Sequence, residues 1–490
     1  MPDNVSLNIP LDIRTPGSYI EIDPSRAVAG LPTQARRLLV MGQRLTTGTV
    51  AAAVPTRITN PAQAVTAFGR GSMLARMLAA LFAGDGQYTD VWAVALDDAV
   101  SGVAAVKTVT IAGTVTAAGT LALYIGGVRV AIAVAAAAAV GTTATALAAA
   151  ITVAPDLPVT ATAALGVVTI TNRHKGECGT SLDVRHSYYM GEALPTGMTC
   201  TIAAGTAGTG NPDVTTAIAT LAGAQWYSIV TPWTDAANMV ILETELATRW
   251  GPLDMRTGQA FCSVTDTFAN LGTWGSARNS PHVCCLGSPS SPTWAPERAA
   301  VWAGVVEYHG AIDPARPFTT LALAGVLPSA EAARFSRTER NLLLFDGIST
   351  ATVDPSGVVH IERVITTYQQ TATGVETVAF LDLNTVWTVD YIRYAVRARI
   401  AERFPRHKLA DDGTRFAPGQ SIATPRLIRA ELVALFRDLE QAGLVEGFDQ
   451  FVADLIVVRS ISDVNRVNAV LPPNIVNQFL VFAAAVQFRL

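Results

Sequence analysis

Charge is what this chain has least of. Only 15% of its 490 residues are Asp, Glu, Lys or Arg, against roughly a quarter in ordinary globular domains. Half of the residues are hydrophobic, 50%, and mean hydropathy is +0.33. So sparse a polar coat points to surface buried in an assembly rather than to a free monomer. Lysine is nearly missing, with Lys107, Lys175 and Lys408 the only ones. Arginine carries the remaining positive charge; its planar fork suits interfaces, and a GC-rich genome gives the same bias. A net charge of −4 argues against direct nucleic-acid binding.

Cys178, Cys200, Cys262, Cys284 and Cys285 are odd in number and lack CxxC spacing, so neither a disulfide framework nor a zinc site is expected, and they read as small buried hydrophobes. The amino terminus, MPDNVSLNIPLDIR, lacks the basic, apolar and small-residue succession of a signal peptide, and the protein is expected to be made in the cytosol. The one run of membrane length, Ala131 to Ala150, is mostly alanine and threonine with Gly141. A strand followed by a helix from about Thr142 to Ile151 fits it better, and no stable membrane insertion is expected. Catalytic motifs are missing too: His174, His186, His282, His309, His360 and His407 are scattered, with no HExxH and no GxSxG. Asp382, Asp390, Glu402, Asp411 and Asp412 read as turns and helix starts. No catalytic, cofactor-binding or metal residue is assigned, and the chain is not expected to be an enzyme.

What is present is an alternation of apolar strands and helices. RRLLVMG from Arg36 and DVWAVAL from Asp90 are continuous apolar runs of the kind buried on both faces of a parallel sheet, with a helix capped by Ser72 between them. From Ser101 to Gly205 the character changes to Thr/Val/Ala/Gly-rich alternation, a mostly β segment. Strands from Trp226, Ala260 and Val283 and helices from Asp235 and Ala295 then resume the α/β pattern, so the β segment is an insertion. After Pro328 the chain reads as α+β: NLLLF from Asn341 as a strand, a strand Val358 to Tyr368, helices Asp390 to Phe404 and Pro425 to Ala442, and a strand to Arg459.

Both ends carry isolated strand-like runs. Tyr19-Ile20-Glu21-Ile22 follows a Pro-Gly turn, and the carboxyl end closes on Phe479, Val481, Val486, Phe488 and Leu490 after a Leu471-Pro-Pro-Asn474 break. Such a strand needs a sheet edge, its own or a neighbour's. Arg393, Arg397, Arg399, Arg403, Arg406 and Lys408 form the densest basic cluster, a solvated helix face or a docking face for an acidic partner.

Several long runs resemble the contractile bacteriophage tail sheath proteins of the Mu-like group, also found in prophages and tail-like particles. They are RTPGSYIEID from Arg14, FGRGSMLARML from Phe68, LPSAEAARFSRTERNLLLFDGIST from Leu327 and IERVITTYQ from Ile361. The most specific are YIRYAVRARIAERFPRHKLADDGTRF from Tyr391, GLVEGFDQFVADLIVVR from Gly443, NRVNAVLPPNIVNQF from Asn465 and the terminal VQFRL. The resemblance spans nearly everything except the Ser101–Gly205 insertion. It implies an amino-terminal arm (1–32), a mainly parallel α/β sheath core of subtilisin-like, non-catalytic fold (33–98 and 206–328), and an outer β domain (99–205). A tube-facing α+β domain (329–470) and a carboxyl-terminal arm (471–490) would follow. It further implies a helical homopolymer around an inner tail tube, baseplate and terminator partners, no cofactor, and a place in the virion tail. Strand exchange would run through Tyr19 to Asp23 and Phe479 to Leu490, received among Asn341–Tyr368 and Asp454–Arg459, with Arg393, Arg397, Arg403, Arg406 and Lys408 facing the tube. Another self-assembling phage or surface-layer protein, or an α/β hydrolase, is the competing expectation.

Overall fold

Leu38, Leu39, Val40 and Met41 expose none of their surface, as a run of large apolar residues must when helices cover both faces of a sheet. They form the strand Arg37–Gln43 at the heart of a six-stranded sheet, in a computed structural model that describes residues 15, 16, 18, 31–84, 89–417 and 419–489. From one edge the order is Val283–Ser288, Gln259–Thr265, Ser228–Val230, Arg37–Gln43, Asp90–Leu96 and the short Thr56–Arg57. Every pairing but the last is parallel. The chain therefore fills one side of Arg37–Gln43 first and crosses to the other side only after the insertion. Side-chain caps start the covering helices: Asn60 on Pro61–Phe68, Ser72 on Met73–Ala83 and Asp235 on Ala236–Trp250.

The insertion pairs its strands as two antiparallel sheets. One is ordered Met198–Ala204, Ala104–Gly113, Val167–Lys175, Val159–Ala164; the other Val128–Val134, Gly119–Ile125, Val184–His186. The Ala-rich run is the helix Val140–Val153, burying Ala144, Leu147 and Ile151. All five cysteines are buried and unpaired; burial pushes the Cys178 thiol up to about 12 and that of Cys200 to about 11.

Contacts divide the chain into two units, one of Ala35–Tyr391 with Asn477–Leu490 and one built on Ile392–Val476. The division falls inside the helix Leu383–Arg403. The second unit has a small core of Leu432, Leu435, Phe436, Leu439, Val445 and Phe451, in which the rings of Phe436 and Phe451 stack at 3.9 Å. Around it lie the helices Pro425–Gln441 and Phe448–Asp454 and three two-stranded sheets.

Two expectations are corrected. Asn341 to Phe345 is not a strand but the end of the helix Arg337–Phe345, because Ser336 and Glu339 make a reciprocal capping box that a five-residue apolar run cannot override. The helix expected from Asp390 begins at Leu383, its β-branched first turns held helical by burial of Leu383, Val386 and Trp387. Of the two edges expected for the carboxyl-terminal run, its own is not taken: within this chain no strand pairing forms across Asn477–Arg489. Tyr19, Ile20, Glu21, Ile22 and Leu490 lie outside the described residues.

Candidate assembly surfaces

The carboxyl-terminal segment has the composition of a buried strand and the exposure of none. Phe479, Val481, Phe482, Val486 and Phe488 are each at least 77% exposed, and across Asn477–Arg489 the backbone makes no strand pairing among the described residues. Fully burying a side chain of this kind is worth about 1.5–3 kcal/mol. The five together represent roughly 8–15 kcal/mol of burial that this chain by itself leaves unrealised.

Within the Ile392–Val476 unit, Ile456–Arg459 and Val467–Val470 pair antiparallel as a hairpin, with Ile456 opposite Val470 and Val458 opposite Asn468. Ile456, Val458 and Val470 are exposed, giving the hairpin an uncovered apolar face. A two-stranded ribbon is marginal in water and is completed by a third strand. The other hairpin, Thr350–Val353 with Val359–Arg363, is hemmed in. Leu321 and Leu323 exchange backbone hydrogen bonds with Ile361 and Val359, and Ser349 bonds to Cys285 and Gly287 in the core sheet. Among the described residues, no third strand lies beside the Ile456–Arg459 ribbon.

The basic cluster is less basic than its composition. Arg399 is turned inward, ion-paired with Asp438 and 3.6 Å from Glu431, and Arg403 is also 3.6 Å from Glu431. Lys408 donates to Gln420 at 2.9 Å. Arg397, Arg403, Arg406 and Lys408 are exposed and Arg393 is half-buried.

Two polar clusters lie where the chain enters the central strand and where it enters the insertion. Arg36, just before the central strand, puts its guanidinium on Glu307 at 2.7 and 3.1 Å and on the Gly310 carbonyl at 2.9 Å, stacked over Tyr227 and Trp387 at 3.6 and 4.2 Å. Ser228 donates to the same carboxylate. Burial works against the Arg36 charge, but the Glu307 carboxylate outweighs it and raises the pKa. Where the chain enters the insertion, Asp98 accepts from His174 Nδ1 at 2.9 Å, from Gln43 Nε2 at 2.8 Å and from the Lys175 N–H at 3.0 Å. His174 Nε2 accepts from the Met73 N–H at 3.1 Å, which places the proton on Nδ1. Desolvation raises the Asp98 pKa, yet these donors win and hold it below the usual value. None of these contacts was visible in the sequence, since their partners lie far apart in it.

Of the other carboxylates singled out in the sequence, Asp382 binds Arg363 at 2.8 and 2.9 Å, Asp390 accepts from the Trp250 indole, Asp411 pairs with Arg459 at 3.0 Å, and Asp412 accepts from the Arg426 N–H, while Glu402 is exposed.

The sequence profile described as phage tail sheath protein central domain matches residues 207–367, and that of the phage tail sheath C-terminal domain matches 376–489. A Mu-like prophage tail sheath protein of Haemophilus influenzae is 42% identical over 483 residues, covering 99% of each chain. Solved structures of sheath tail proteins from Desulfitobacterium hafniense and Listeria innocua are similar at 14% and 13% identity, with TM-scores of 0.47 and 0.49. They cover 94% and 92% of this chain, and 100% and 94% of their own. The resemblance read from the sequence motifs is borne out.

Proposed function

The chain belongs to the phage tail sheath family, and from that premise we propose that it polymerises helically around an inner tail tube and contracts to drive the tube through the host envelope. The observation that carries this reading is the exposed apolar segment Phe479–Phe488 together with an incomplete two-stranded sheet at Ile456–Arg459. Each is what the other lacks. Strand addition supplies main-chain hydrogen bonds that survive when the bodies move, and the Pro-containing break at Leu471–Asn474 serves as a linker that lets the bodies rotate.

The magnitudes favour a polymer over a dimer. The gain of roughly 8–15 kcal/mol from one arm is comparable with an association cost of about 4–15 kcal/mol. One arm is marginal, whereas several arms per subunit make each further contact nearly intramolecular. The amino-terminal Tyr19–Ile22 is the second arm of this scheme. Arg393, Arg397, Arg403, Arg406 and Lys408 form the tube-facing surface, and baseplate and terminator proteins cap the ends. The parallel core serves as a non-catalytic, subtilisin-like body, with residues 1–32, 33–98 with 206–328, 99–205, 329–470 and 471–490 as its functional divisions. Assembly takes place in the bacterial cytoplasm, and contraction relaxes a metastable array without nucleotide or metal.

Negative-stain electron microscopy of the concentrated chain, alone and co-expressed with its tube protein, tests the reading. Hollow striated cylinders are expected; flat sheets or a persistent monomer under both conditions overturn it. For the tube-facing surface, Arg397→Glu with Arg403→Glu is expected to abolish tube-dependent assembly. Normal assembly around the tube would remove these residues from that role.

A further inference from the structure

The buried charge of Arg298 has no counter-charge among the described residues. Arg298 is 2% exposed, and its guanidinium donates only to neutral acceptors: Ser263 Oγ and Thr265 Oγ1 at 2.8 Å, the Val264 carbonyl at 3.2 Å and the Thr293 carbonyl at 3.3 Å. Its buried counterparts each hold a carboxylate, Arg36 with Glu307, Arg249 with Glu245 and Arg278 with Glu243. The adjacent carboxylate, Glu297, is committed to Arg76. Arg298 also lies just inside the N-terminal end of the helix Ala295–Ile312, where the helix dipole disfavours a cation. Burial without a compensating anion pushes its pKa down to about 10. Buried charges are ordinarily paired with an opposite charge.

The space for such a group is present. Arg298 lines a cavity of about 270 Å³ with Ser288, Ser291, Arg334, Arg340 and Thr350, and no Asp or Glu lines it. Arg340 is balanced by Glu362 at 2.8 Å, whereas Arg334 donates to the Ser329 carbonyl and has no ion pair among the described residues. Thr350 is 3% exposed, and its hydroxyl has no hydrogen-bond partner. A buried hydroxyl is rarely left unpaired in a native protein. Leu286, Gly287 and Ser288, at the carboxyl end of Val283–Ser288, line the cavity, the end at which parallel α/β sheets take ligands.

We propose that this cavity is a binding site for a small anionic group, a carboxylate or an inorganic phosphate, held by Arg298 and Arg334 with the Thr350 hydroxyl as a further donor. The same chemistry has two sources, a free anion or an acidic side chain of a second copy of this chain. The second source rests on the self-assembly reading and the first does not.

Isothermal titration of the full chain with sodium phosphate and with sodium acetate, against chloride at matched ionic strength, tests the site. Saturable binding of one equivalent of either anion is expected. Arg334→Met should weaken it about tenfold, the loss of one charge-assisted contact. Thr350→Val should weaken it severalfold while leaving the melting temperature of the unliganded protein unchanged or higher, because the hydroxyl it removes is unpaired. These two variants keep the proposal testable if Arg298→Met fails to fold. Absence of saturable binding in the wild type, or wild-type affinity in both variants, overturns the proposal. Repeating the titration on the pelleted polymer separates the sources. Retained phosphate binding identifies a free anion. Lost binding, with phosphate slowing assembly, identifies the neighbour's carboxylate.

Discussion

Replacing Glu307 with alanine tests how the chain is anchored where it enters the central sheet. Glu307 is fully buried and the Arg36 side chain is 8% exposed, so E307A leaves a guanidinium in the interior with the Gly310 carbonyl, two aromatic faces and the more distant Asp390 carboxylate. Breaking a buried pair from one side costs about 3–5 kcal/mol. The Ser228 hydroxyl loses its acceptor as well. Hydrogen exchange at the strands Arg37–Gln43 and Ser228–Val230 reads the loss where it occurs. Where exchange reports opening equilibria, that cost accelerates it by roughly two to three and a half orders of magnitude. The double variant Arg36→Met/Glu307→Leu removes both charges and should restore most of the protection, since methionine packs well against Tyr227 and Trp387. Protection in E307A within tenfold of wild type, or a double variant as labile as the single one, would refute the assignment of the anchor to this pair.

Three further outcomes are expected. Gly310→Ala should destabilise the body by about 1–3 kcal/mol despite the higher helix propensity of alanine, since its Cβ would stand 2.1 Å from the Trp387 ring; a rise in melting temperature would show that Trp387 yields without cost. The depressed pKa of Asp98 stabilises the folded form above the ordinary carboxylate pKa, and that contribution is lost as pH falls through the folded value, below about pH 4. Limited proteolysis at the insertion junction should accelerate there in the wild type, and Asp98→Asn should be equally susceptible at neutral pH. Phe482→Asp, on an exposed side chain, should leave the melting temperature of the unassembled protein unchanged and abolish polymerisation; a polymer of wild-type length would show that this side chain is not buried by assembly.

The parallel core was legible because its strands are continuous apolar runs, and Leu38–Met41 and Val283–Leu286 have no other way to be satisfied than burial on both faces. The helix Arg337–Phe345 was misread because NLLLF is too short for periodicity to decide, although the Ser336/Glu339 signal stood five residues upstream. Contacts between distant residues were beyond reach: nothing near Arg36 announces Glu307, and Arg298 looks like any helical arginine until its neighbours are in place. The carboxyl-terminal segment was legible in composition and alternation, but a strand is a property of a pair, and this chain alone leaves it unpaired.

The most direct test of the account is to end the chain after Val476 and compare its assembly with the full chain by sedimentation and negative-stain microscopy. The account predicts a soluble, folded, monodisperse protein that forms no cylinders, while the full chain does. Cylinders of normal length from the shortened chain would contradict it.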